Sequence, residues 1–243
     1  MLLIDYSSSK ECIRKNKNYK RLSEILYVFY SGKELGWPHI SKIGVQKSIY
    51  LSEVLAPLKK VILSFLNFIY HKRGPYSADI QNSLDYLVSL GAIEVVKFKK
   101  RGKSAFVDYR ISESGESVVH SLLIEPEEKE KYDWIKLVLR VIDAYKDAFG
   151  IGKKFEDMDK IVDLVYEEPS FKEVQKKGRG KFIQMTLKDN LTMELTDFLK
   201  NIEETELSKF LKKEPKRDFE TILVMFFEHL YLDFLSKREK KDG

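Results

Sequence analysis

The sequence predicts a mainly α chain with one small β-hairpin: a winged helix-turn-helix followed by a second, helical half. Three observations lead there. Between residues 19 and 123 the apolar pattern runs helix, helix, capped helix, then switches from a period of 3.6 toward 2 for two short stretches before turning helical again. The helix before the switch opens on Ser77, a good N-cap residue, and closes on Gly91, placed as a C′ glycine. Beyond Pro126 the apolar residues recur mostly at helical spacing. The order of elements carries the assignment, not any single residue.

Residues 7–21 are basic, with Lys10, Arg14, Lys15, Lys17, Lys20 and Arg21 against Glu11, and residues 1–18 read as an amino-terminal arm. Leu22, Ile25, Leu26 and Phe29 define a first helix, with Gly32 as its stop. Pro38 and Gly44 bracket a loop, and Val45, Ile49 and Leu55 mark a second helix closed by Pro57. Residues 61–70 are almost continuously apolar and fit either a buried helix or a buried strand. Gly74-Pro75 signals a turn, and the capped helix carries Ile80, Leu84, Leu87 and Val88 on one stripe. Residues 93–99 and 104–111 read as two strands joined by Lys100-Arg101-Gly102-Lys103. A helix at 118–123 follows the polar lead-in 112–116.

Pro126 and the charged run 127–131 mark a boundary between a winged-helix domain, 19–125, and a helical partner-binding domain, 126–243. In the second, Trp134, Leu137, Val138, Val141, Ile142 and Tyr145 keep helical spacing up to Gly150 and Gly152. Met158, Ile161, Val162 and Val165 form a shorter helix that stops at Glu167-Glu168-Pro169. Residues 172–181 read as a basic loop, 191–211 as an amphipathic acidic stretch, and 219–235 as the most apolar helix of the chain.

Composition narrows the function. The 243 residues are 43% hydrophobic and 33% charged, which supports a buried core and excludes a disordered tail. A net charge of +5 permits a nucleic-acid partner without demanding one. Cys12 is the single cysteine, which excludes an internal disulfide framework, and four histidines make a Cys/His zinc site unexpected. Apolar runs are too short to span a membrane, and residues 1–5 lack a secretory leader, so a cytoplasmic protein is expected.

Lys97, Lys99, Lys100, Arg101 and Lys103 surround the hairpin tip, five cations in seven positions. They suit contact with a phosphate backbone, where cations gain by releasing condensed counterions. Lysines on a solvated sheet edge also prevent edge-to-edge pairing, and the pattern leaves both readings open. On the capped helix Gln81, Asn82 and Tyr86 are the candidate base-reading residues, beside the acids Asp79 and Asp85, which oppose phosphate. Phe226, Phe227, Leu230 and Tyr231 give the last helix an apolar face wide enough for core and partner alike. A second basic cluster, Lys172, Lys176, Lys177, Arg179 and Lys181, does not have P-loop spacing.

Catalysis finds little support. The chain has no G-x-S-x-G, H-E-x-x-H or C-x-x-C. Glu94 and Lys97, three positions apart on a strand, are expected on opposite faces and so do not form a nuclease E-x-K pair. Neither Glu167-Glu168 nor His71 makes a constellation, so no enzyme, metal or cofactor is expected.

The motif Gln46-Lys47…Tyr50, then His71-Lys72-Arg73-Gly74-Pro75-Tyr76-Ser77, then Leu84…Leu87…Leu90-Gly91-Ala92-Ile93, resembles a group of bacterial winged-helix proteins. That group includes relatives of the SocA-like (Panacea) antitoxins and, in closer likeness, the middle subunits of three-component, Lamassu-type ABC-ATPase defence systems. Residues 165–171 are similar to a segment in the second half of such subunits. The likeness covers residues 40–120 and that segment. It implies a non-catalytic accessory subunit beside an SMC- or Rad50-like ATPase and an effector nuclease, touching double-stranded DNA without sequence preference. An autonomous DNA-binding regulator or antitoxin is the alternative.

Overall fold

In a computed structural model of the protein the described residues are 19–64, 67–71, 74–101, 104–144, 169–183 and 221–229, with 197 and 232. They are mostly helical with a small antiparallel sheet. Helix α1 (Tyr19–Glu34) leads to strand β1 (Ile40–Ser41), helix α2 (Lys42–Leu55) and a 3₁₀ turn (Ala56–Lys59). Strands β2 (Ile69–His71) and β3 (Gly74–Tyr76) pair as a separate ribbon. Helix α3 (Ala78–Ser89), strands β4 (Ile93–Arg101) and β5 (Ser104–Ile111), and helices α4 (Glu113–Leu122) and α5 (Pro126–Ala144) follow, then α6 (Pro169–Lys177) and a helical stretch at 221–229. The larger sheet is ordered β1-β5-β4, antiparallel throughout, which leaves β4 as an edge.

The chain divides into two compact units, one holding the residues up to Ile69 and from Pro75 to Arg140, the other Tyr70–Gly74 and the residues from Val141 onward. In the first, α2 is buried on every side from Val45 to Ser52, so the other elements assemble around it. Its Tyr50 ring meets Phe68 edge-on at 5.1 Å, and Trp134 of α5 donates its indole N–H to the Ser52 carbonyl at 2.9 Å. The sequence stripes do go inward: Leu22, Ile25, Leu26 and Phe29 of α1, Ile80, Leu84 and Leu87 of α3, and Val118, Val119 and Leu122 of α4 are all buried. Gly91 closes α3 with φ +68°, and Ala92 N–H reaches the Leu87 carbonyl at 3.0 Å, the long bond of a Schellman stop. In the second unit Phe171, Val174, Ile183, Leu223, Phe226 and Phe227 are buried, and Tyr70 stacks edge-on with Phe171 at 5.3 Å.

Several sequence expectations change. Gly32 does not stop α1; it lies inside the helix, where a Cβ would come within 2.7 Å of the Ile40 side chain and 3.1 Å of Trp37. The chain turns instead at Gly36, φ +79°. Residues 38–44 are not simply a loop: β1 pairs with β5, and α2 begins at Lys42 with Ser41 Oγ accepting from Gly44 N–H at 3.0 Å. The apolar run 61–70 is neither helix nor one strand in its described part, since only Ile69 and Tyr70 join β2, while Phe68 is buried and Ile62 exposed. The charged run after Pro126, expected to mark a domain boundary, forms the first turns of α5 and lies within the first unit, and its Glu128 and Lys131 are buried as a pair at 2.8 Å. Residues 172–177 are helical rather than a loop, in a helix that begins at Pro169. The arm 1–18 with Cys12, the helix expected on Met158, Ile161, Val162 and Val165, and nearly all of 191–211 lie outside the described residues.

Candidate nucleic-acid interface

Helix α3 is held at its entrance by two polar side chains from inside α2. Gln46 exchanges a pair of hydrogen bonds with the backbone of Ser77, its Oε1 accepting from Ser77 N–H at 2.8 Å and its Nε2 donating to Ser77 O at 2.9 Å. Lys47 donates to the Pro75 carbonyl at 3.1 Å. Lys47 is fully enclosed, and burial lowers its pKa well below the usual lysine range. Ser77 occupies the N-cap position with extended backbone, yet its hydroxyl makes no capping bond; the amide of Gln46 fixes the turn instead. The Gln-Lys pair and the Gly-Pro-Tyr-Ser stretch are thus the two halves of one clamp.

The other end of α3 feeds the hairpin. Ser112 locks its base: its N–H donates to the Ala92 carbonyl at 3.1 Å, its hydroxyl donates to Gly91 O at 2.6 Å, and the same oxygen accepts from Gly115 N–H at 3.0 Å. A Cβ on Gly115 would stand 2.1 Å from the Ala92 carbonyl oxygen, so only glycine lets α4 approach this closely.

Strand register then decides where each hairpin cation stands. Glu94 faces Arg110, Lys97 faces Asp108 and Lys99 faces Phe106, whereas Val95 faces Tyr109, Phe98 faces Val107 and Lys100 faces Ala105. Strand residues alternate between faces, so these are two different surfaces. The switch depends on a bulge between Val95 and Lys97. It overturns the expectation that Glu94 and Lys97 oppose each other: the extra residue returns them to one face. There they enter separate pairs, Glu94 with Arg110 at 2.8 Å, and Lys97 with His39 at 2.9 Å and Asp108 at 4.0 Å. Asp108 also lies 3.3 Å from His39.

The five cations therefore differ. Lys97 is tied to the body of the domain, while Lys99 and Lys100 are exposed and engage no ion pair among the described residues. Arg101 ends β4 opposite Ser104, and Lys103 lies outside the described residues.

Helix α3 offers less to bases than its composition suggests. Gln81 is engaged through its amide nitrogen, Nε2 donating to Asp85 at 2.8 Å. Burial, then Asp85, raises the Tyr109 pKa, and the nearby Gln81 amide partly offsets them. Asn82 is exposed and Tyr86 half-buried, so two of the three proposed reading residues remain accessible. The acids that oppose phosphate are partly answered by cations the sequence did not connect to them. Arg21 of α1 lies 3.4 Å from Asp79. Lys42 stands near Asp85, which counteracts the lowering of the lysine pKa by burial.

The proposed partner face does not survive in the described part of the last helix. Phe226 and Phe227 are each 1% exposed and meet edge-on at 6.1 Å, so they are core. Leu230 and Tyr231 lie outside the described residues. Among the described residues no cluster of His, Cys, Asp and Glu is arranged to hold a metal ion, and no helix is long and apolar enough to cross a membrane. No protein-family model matches the chain, and a search of curated proteins finds no significant relative.

Proposed function

We propose that this chain is a winged-helix accessory subunit that grips DNA by its phosphates, without reading sequence, as part of a DNA-sensing assembly. The observation that carries the reading is the edge hairpin with Lys99 and Lys100 exposed and, among the described residues, in no ion pair, beside an α3 whose reading residues are partly engaged. The element order helix, strand, helix, two-stranded ribbon, helix, strand, strand supports the winged-helix reading, with the β2-β3 ribbon inserted between α2 and α3. The resemblance to middle subunits of ABC-ATPase defence systems suggests the setting: an SMC- or Rad50-like ATPase and an effector nuclease as companions, with no chemistry performed by this subunit itself.

The alternative, an autonomous regulator reading an operator, draws support from the exposed Asn82 and the half-exposed Tyr86 alone. Binding of the full chain to several unrelated duplexes over a range of salt separates the two. The accessory reading expects similar, weak affinities that fall steeply as salt rises. Tight protection of one short sequence, with affinity for it at least about a thousandfold above the others, would establish the regulator instead.

A further inference from the structure

The bulge that gathers the charged pairs on one face of the hairpin gathers apolar side chains on the other. Val95 and Phe98 face Tyr109 and Val107, which stand two apart on β5 and so share a face. Phe98 is 65% exposed and Val95 46%, beside the half-buried Val107, and the strip leads inward to the buried Tyr109. At its outer end stands Lys100, and Lys97 and Lys99 line the reverse face.

We infer that this strip receives unpaired bases, with Phe98 as the stacking residue, so that the hairpin favours DNA containing a single-stranded tract over continuous duplex. The inference rests on the phosphate-gripping reading above and adds the DNA structure preferred. Charge selects the occupant. A polymer crossing the strip meets Lys100 on the same face and, around the open β4 edge, Lys99 on the other, cations that an apolar protein surface would desolvate at a cost. Single-stranded DNA brings a flat π face and a phosphate with every nucleotide, so one ligand satisfies Phe98 and its flanking cations together. In continuous duplex each base is already stacked, and the ring has nothing to cover it.

The test uses the full chain with a covalently closed circular duplex and the same circle carrying a short single-stranded gap. Wild type is expected to bind the gapped circle about tenfold more tightly, and Phe98→Ala to lose that preference while binding the closed circle as before. Because Phe98 is exposed, the variant should keep the wild-type circular dichroism and melting temperature. Equal wild-type affinity for the two circles, or a gap preference that persists in Phe98→Ala, overturns the inference and leaves the strip as a surface for a protein; phosphate gripping then stands. Absence of binding to either circle at low salt refutes the phosphate reading and the inference with it.

Discussion

Gln46 meets both polar atoms of the Ser77 backbone from a buried position on α2, so its removal strands an N–H and a carbonyl away from water. Gln46→Ala is expected to cost about 2–4 kcal/mol in urea unfolding, more than a surface glutamine would. Glu24 is a second buried polar anchor, accepting from Ser64 N–H at 2.7 Å and from its hydroxyl at 3.0 Å. Burial raises its pKa to about 7, against the opposing pull of the Ser64 bonds and Lys131. A carboxyl with a raised folded pKa binds more protons in the native state, so its contribution to stability is full below its unfolded value and is lost as pH climbs through about 7. Wild type should therefore lose stability between about pH 5 and about pH 8, by up to roughly 3 kcal/mol from this group, and Glu24→Gln should flatten that slope. Thermal melts of both proteins across that range decide it; parallel curves would show that Glu24 does not titrate there. Neither anchor was legible in the sequence, because a glutamine or glutamate between apolar residues looks the same whether it faces water or a backbone turn.

At the level of elements, apolar spacing located the buried stripes of α1, α3 and α4, and the change of period at Gly91 located the hairpin. What it missed depends on contacts distant in sequence. Gly32 looked like a helix stop because glycine often is one, yet here it makes room for Ile40 and Trp37. The two-residue β1 is too short to show a period and exists because β5 pairs with it. The bulge that sorts the hairpin into a charged face and an apolar face has no composition of its own, so Phe98 passed unnoticed among lysines. Gly115, read only as part of a polar lead-in, lets α4 close on the hairpin base. Gly115→Ala should destabilise the fold by about 1–3 kcal/mol through the clash with the Ala92 carbonyl, although alanine is the better helix former. A midpoint of unfolding equal to or above wild type would show that the contact is not tight.

For the whole molecule, the claim is that a folded α-helical body presents a cationic β-hairpin to phosphates. Helix α2 is buried all round and sets both the clamp on α3 and, through α3, the position of β4. Lys99 and Lys100 are exposed and, among the described residues, in no ion pair, so neutralising them should spare the fold and alter only binding. The direct measurement is the salt dependence of duplex affinity for wild type and for the double variant Lys99→Gln with Lys100→Gln. If both lysines contact phosphate, the slope of log affinity against log salt should become shallower by about 1.8, roughly 0.9 for each contact removed, with weaker binding at low salt. A folded double variant that matches wild type in affinity and slope would contradict the account.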